Sequence, residues 1–225
     1  MSLGDLKPLQ VETGIIFGQE CYLDPSRARE FHTKVNEIFP NFLTRYNYQQ
    51  LPDRFTLENA NGARRCVVQL NRFNYSVHVP IEPSDFLQQV EEIFDCFKNL
   101  FALDDVRRIG KIYDFQSPAS LTKDSLADIL KIQESLQVNH MELLFRDDGK
   151  NINIHFQSVD KGQIEFAGRR ITLEPGVIIR CDINNIDMNS RLNFPDTLKE
   201  VFGYTDRYVQ EDLLAFLDEY FGGKP

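Results

Sequence analysis

Val106-Arg107-Arg108-Ile109-Gly110-Lys111-Ile112-Tyr113-Asp114-Phe115 is the stretch on which the reading of this chain turns. It follows the strongest helix signal in the sequence and has the apolar and β-branched content of a strand. Before it, residues 85–102 place Phe86, Leu87, Val90, Ile93, Phe94, Phe97, Leu100 and Phe101 on one helical face. Gln88, Glu91, Glu92, Asp95 and Lys98 fall mostly on the other. A stripe of this width must be buried against a sheet or another helix. After it, the order of elements that came before starts again.

Working back toward the N-terminus, residues 11–23 read as a strand, with Ile15, Phe17, Cys21 and Leu23 on one parity. Asp24 caps a helix that Pro25 opens and Pro40 stops. Four short strands are expected near 42–49, 53–60, 64–71 and 74–80. The second and third are joined at Asn61-Gly62, the best hairpin signal in the chain. Glu82-Pro83-Ser84-Asp85 enters the long helix.

Forward from Phe115, a helix is expected at 122–136, then strands near 139–147, 150–158, 163–173 and 176–183. Asp147-Asp148-Gly149, Asp160-Lys161-Gly162 and Glu174-Pro175-Gly176 supply the turns. A short helix after Pro195 and a last helix at 206–221, ended by Gly222-Gly223, complete the chain. Each half, 1–103 and 104–225, thus reads strand, helix, four strands, helix. The fold class is α+β: mostly antiparallel sheet with long amphipathic helices packed on it, arranged as a tandem duplication. The halves would join edge to edge through 11–23 and 106–115, or pack as two lobes.

Composition limits the function classes. The 225 residues are 42% hydrophobic, enough for a core. No run of about 18 apolar residues marks a membrane span, and the N-terminus lacks the order of a signal peptide. A net charge of -9 argues against nucleic acid as a partner. Cys21, Cys66, Cys96 and Cys181 have no metal spacing and read as reduced and mostly buried. Together these point to a cytoplasmic protein.

No nucleophile elbow, phosphate loop or dinucleotide fingerprint is present. His32, His78, His140 and His155 fall in no ligand spacing, so neither metal nor cofactor is expected. His155 should point away from the face used by Ile154 and Phe156, while His140 and Glu142 share a strand face. Asp182, Asn184, Asp187 and Asn189 fail the calcium-loop pattern, because Ile186 stands at a ligand position.

The arginine pairs Arg64-Arg65, Arg107-Arg108 and Arg169-Arg170 are the most suggestive polar feature. On one sheet face they could hold a phosphate or carboxylate; the plainer reading is pairing with surface acids. Gly110 inside a strand pattern marks a bulge or a close approach. The candidate ligand-binding residues are therefore Arg108, Gly110, Tyr113, Arg180 and Asp182, with a pocket expected between Phe94, Phe97 and the sheet near Gly110. No catalytic residue is assigned.

At Arg108-Ile109-Gly110-Lys111-Ile112-Tyr113 the sequence resembles the sporadically distributed prokaryotic proteins in which an Arg-Ile-Gly-x-x-Tyr strand follows a long amphipathic helix in mid-chain. Ile38-Phe39-Pro40 at a helix end and a late strand at Val177 to Ile183 are similar in outline. Ile112 and Phe115 replace a basic residue and an Asn, and the last helix lacks a His. The resemblance implies a prokaryotic cytoplasmic protein and no particular chemistry.

The function expected is non-catalytic binding. The partner is another protein or a second copy of the chain, or a small anionic or apolar ligand held between helix and sheet. The 18 Phe and 8 Tyr would serve either. The alternatives are an enzyme with a dispersed site at His140, Glu142, Arg108, Tyr113 and Asp182, and nucleic-acid binding through the arginine pairs.

Overall fold

The computed structural model describes residues 6–78, 81–117, 140–159, 162–166, 169–186 and 190–221. The helix expected at 122–136, the Asp160-Lys161 turn and Gly222-Gly223 lie outside them.

Among the described residues eleven strands follow one another in chain order: β1 (Lys7–Phe17), β2 (Arg45–Asn47), β3 (Arg54–Glu58), β4 (Arg64–Gln69), β5 (Arg72–Val77), β6 (Val106–Gln116), β7 (His140–Asp147), β8 (Lys150–Val159), β9 (Gly162–Phe166), β10 (Arg169–Leu173) and β11 (Gly176–Asn185). Nine form one sheet in the order β2-β3-β4-β5-β1-β6-β11-β8-β7, and every pairing is antiparallel. β1 and β6 lie side by side at its centre, with Gly14 opposite Gly110. Of the two arrangements open from sequence, the edge-to-edge one is found. This is the α+β fold expected.

The strand expected at 163–173 is instead two, β9 and β10, which pair with each other in a separate two-stranded sheet. β11 then pairs directly with β8. β1 ends at Phe17, short of the expected Leu23. There the register shifts, and Gly18 is so close to the Asp105 and Arg107 side chains that an added Cβ would lie 2.2 Å from Asp105.

The described helices cover one face. α1 (Pro25–Ile38) is capped by Asp24, whose side chain accepts hydrogen bonds from the Ser26 and Arg27 amides at 2.9 and 3.0 Å. α2 (Pro83–Phe101) ends at Ala102 in the left-handed region. α3 (Phe194–Tyr208) runs through a π-helical turn at Val209–Leu213 into α4 (Leu214–Phe221). The expected short helix and last helix are therefore nearly continuous. The reason is visible in the spacing Thr205, Val209, Leu213, Leu217, all buried. Strict four-residue steps drift by about 40° each around an α-helix, and the wider π turn keeps them on one face.

Two clusters make up most of the core. The larger packs α1, α2 and the start of α3 on β1, β3, β4 and β5. Its centre is a phenylalanine mesh: Phe97 lies 5.5 Å from Phe31, 5.9 Å from Phe17, 5.6 Å from Phe73 and 4.6 Å from Phe101. The smaller packs the π turn and α4 on β6, β8 and β11. Phe94 and Phe97 are fully buried in the mesh. Gly110 belongs to the opposite face of the sheet, where a Cβ would meet Asn184, so it does not share a pocket with Phe94 and Phe97. Phe97→Ala should lower stability by about 3–5 kcal/mol in urea unfolding, because the mesh cannot close over the lost ring. Exposed Tyr22→Ala should stay within about 0.5 kcal/mol.

Candidate functional site

Alternation along the strands gives the sheet two distinct faces. Val11, Thr13, Ile15, Ile109, Lys111, Tyr113, Cys181 and Ile183 face the helices. Glu12, Gly14, Arg108, Gly110, Asp114, Arg180 and Asp182 share the open face, on which no described helix packs and in which Asp114 is buried. This follows from the register, in which Val11 opposes Tyr113 and Tyr113 opposes Cys181.

On the helix face lies a cleft of about 820 Å³, within the range of small-molecule sites. Its floor is β1 and β6, through Leu6, Pro8, Val11, Tyr113 and Phe115. One wall is the start of α2, with Pro83 and Gln89; the other is Asp206, Val209 and Gln210, where α3 passes into the π turn. Arg64 enters from β4. Its guanidinium lies 4.9 Å from the centre of the Phe42 ring. Its Nε is buried, and the guanidinium also interacts with the Tyr75 hydroxyl.

Beneath the cleft sits a buried cation. Lys111 has no exposed side-chain surface and pairs with Asp206. Its Nζ lies 4.7 Å from the Phe202 ring centre, 5.0 Å from Tyr113 and 5.6 Å from Phe86. The rings and the carboxylate replace the water that the ammonium loses. Burial holds the Lys111 pKa below its ordinary value, with Asp206 opposing that shift. Tyr113 donates to the same Asp206 oxygen at 2.7 Å. Burial first, and the Asp206 charge second, raise the Tyr113 hydroxyl well above the usual tyrosine range. Asp206 Oδ1 thus accepts two donors from the central strand.

The open face is a polar network. Arg180 makes a two-pronged contact with Asp114 at 2.8 and 3.0 Å. Gln10 links Asp114 to Glu12 at 3.0 and 3.1 Å. Asn74 joins Glu12, at 2.7 Å, to Arg72, at 2.6 Å. Burial raises the Glu12 pKa, against the lowering effect of Arg180 and Asn74. Gly110 answers to a close approach rather than a bulge. A Cβ there would lie 3.1 Å from Asn184 Cβ, and the register shifts of β1 and β6 fall elsewhere. At the far end of the face, His140, Glu142 and His155 stand together.

The structure therefore divides the five sequence-derived candidates. Tyr113 lines the cleft; Arg108, Gly110, Arg180 and Asp182 lie on the open face. Asp182 accepts from Asn184 at 3.2 Å. Among the described residues the arginines do not form one cationic surface: Arg64 enters the cleft, Arg65 pairs with Glu58 at 3.0 Å and Arg107 with Asp105 at 2.6 Å. The side chains of Arg169 and Arg170, and Asp187 and Asn189, are outside the described residues. The sequence reading passed over Lys111 and Asp206. Parity with Ile109 and Tyr113 was the available signal for Lys111; Asp206 had none, because only the tertiary fold brings it to β6.

Buried Cys21 has its thiol pushed up to about 11, and burial takes Cys66 and Cys181 higher still, so these thiols are protonated and inert.

Among known proteins, no family model matches the chain. SPX domain-containing protein 1 of Arabidopsis thaliana is 22% identical over 127 residues, 56% of this chain and 50% of that protein. The chain spans about half the length of that relative. Among solved structures, the Methanococcus jannaschii TBP aligns over 90% of this chain and 99% of its own at 12% identity, with a TM-score of 0.27. The Clostridium acetobutylicum aspartate kinase aligns over 88% and 33% at 7% identity, also at 0.27. Scores of this size carry no argument about fold or function.

The ion pair under the cleft sets a prediction. Asp206→Asn leaves Lys111 buried without its counter-charge, a change that costs about 3–5 kcal/mol at neutral pH. The already lowered Lys111 pKa falls further in the variant. Between that value and the unfolded one, about 10.4, the unfolded chain binds more protons than the folded chain. Stability therefore rises with pH in that window, and the deficit against wild type shrinks toward pH 10. Urea unfolding from pH 7 to 10 measures it; a constant deficit contradicts the account.

Proposed function

We propose that this is a non-catalytic binding protein that holds a small amphipathic ligand in the cleft between α2, α3 and the β1–β6 centre of the sheet. The observation that supports it most is the cleft itself, apolar at its floor, with the Arg64 guanidinium in its lining. A carboxylate, sulfonate or phosphate head would form a charge-assisted hydrogen bond with that guanidinium. Leu6, Val11, Phe115 and Val209 would take the apolar body. Exposed Glu82 and Asp85 stand at the mouth, so the anionic head belongs inside, at Arg64, rather than at the rim.

Lys111 is neutralised within its own ion pair and enclosed by rings, which suits a structural post under the floor better than a nucleophile. The distant likeness to an SPX domain-containing protein is compatible with a binding role. Among the described residues no helix is long and apolar enough to cross a membrane, and free cysteines suit a reducing compartment such as the cytoplasm. The halves 1–103 and 104–225 are read as a tandem pair sharing one sheet, with their first strands adjacent at its centre.

Self-association is the second reading. It rests on edge strand β7, where Leu144 is 68% and Phe145 42% exposed.

The test is a fluorescence titration with 1-anilinonaphthalene-8-sulfonate, an apolar anion, on the full chain, with decanoate as competitor. Saturable one-to-one binding is expected. Arg64→Gln should weaken it about tenfold, which corresponds to about 1.4 kcal/mol, and Gln210→Trp should block entry. Non-saturable binding, or equal affinity in both variants, overturns the reading. A dimer mass with no retained ligand, in a native mass spectrum of the same sample, would favour self-association instead.

A further inference from the structure

We propose that His140, Glu142 and His155 form a binding site for a divalent first-row transition ion, on the open face of the sheet and separate from the cleft. One possible ligand atom from each lies within 4.8 Å of the other two. Strand register produces this grouping. Glu142 stands directly opposite His155 across β7 and β8. His140, two residues before Glu142, projects to the same side, and its ring centre is 5.9 Å from that of His155.

Sequence spacing could not show the site, because the third ligand comes from the neighbouring strand. A lone pair such as His140 and Glu142 is common on sheet surfaces; a second imidazole completing a triangle is what points to a metal. Two imidazoles and one carboxylate suit zinc, cobalt, nickel, copper or iron(II) rather than magnesium or calcium, which take oxygen ligands. Ligand atoms about 2.1 Å from a tetrahedral ion are about 3.4 Å apart, so modest rotations of these side chains close the triangle. His140 and Glu142 are exposed and free to make that adjustment, while half-buried His155 fixes the anchor. The anchor is well held, because β8 is paired on both sides, by β7 and β11.

The local charge is also suitable. Arg180 is the cross-strand neighbour of His155 and would repel a cation. It is clamped by Asp114 in a two-pronged ion pair, which cancels most of its field at short range. The contact between His155 Nε2 and Glu142 Oε1 is 3.5 Å, too long to be a strong bond that an ion must break. Three protein ligands would leave one or more coordination positions to water.

The experiment uses the untagged full chain, freed of metal by dialysis against a chelator. Cobalt(II) is titrated in and read by its visible d–d absorption, and zinc(II) is then added as competitor. One equivalent of cobalt should develop the band, and one equivalent of zinc should remove it, while millimolar magnesium leaves it unchanged. His140→Ala, His155→Ala and Glu142→Gln should each weaken binding by more than about tenfold, since even outer partners of metal ligands are worth that much. His32→Gln, at a histidine bound to the Leu43 carbonyl, should bind as wild type does. Circular dichroism confirms that the variants fold, as expected for substitutions at exposed His140 and Glu142. No saturable cobalt band, or full affinity in the His140→Ala/His155→Ala double variant, overturns the proposal.

Discussion

The antiparallel ladder between β1 and β6 is the constraint on which the rest of the molecule depends. It joins two groups of strands into one nine-stranded sheet and fixes which side chains face the helices. Because side chains alternate, a slip of one residue would exchange the faces of a whole strand. Ile15 and Ile109 would leave the core, and Glu12 and Asp114 would enter it. The Gly14–Gly110 pair at the ladder's centre lets the Arg72 and Asn184 side chains lie close over the strands on the open side. Thr13 reinforces the ladder from the helix side by donating to the Gly110 carbonyl at 2.8 Å.

Fixed faces give the two sides different chemistry. The helix side holds the apolar mesh and, at one end, the cleft above Lys111. A lysine on this face can be buried only with a counter-charge and aromatic walls, and Asp206, Phe86, Phe202 and Tyr113 supply them. These residues come from α2, α3 and β6, so one ion pair ties both helices to the sheet centre. The π turn follows directly after this contact and redirects the helix toward the second core cluster. On the open side, acids and bases pair across strands, and His140, Glu142 and His155 form a separate grouping at the far edge.

Element type was legible wherever local pattern carried it. Asp24 and Pro25 announced α1, the aromatic stripe announced α2, and Asn61-Gly62 announced a hairpin whose Gly62 has φ 69°. Parity correctly placed His155 away from Ile154 and Phe156. What failed depended on long-range geometry. The stretch 163–173, read as one strand, doubles back as β9 and β10; Gly168 between two alternating runs was the signal passed over. Helix 206–221 merged with its predecessor because four-residue spacing was compensated by backbone rather than by a break. Of the five candidate site residues, four share the open face and Tyr113 faces the cleft, a division that alternation within β6 already contained for Arg108, Gly110 and Tyr113. Asp206 and Arg64, which give the cleft its polarity, reach it only through tertiary packing.

Amide hydrogen exchange under native conditions, followed with increasing urea, tests the central role of the β1–β6 ladder most directly. Amides of Glu12, Gly14 and Ile112, which point across the β1–β6 ladder, should be among the slowest and should exchange only with global unfolding, in step with the most protected amides of β4 and β8. Ladder amides that open before either flank, leaving residues 6–101 and 106–221 to unfold separately, would contradict the account.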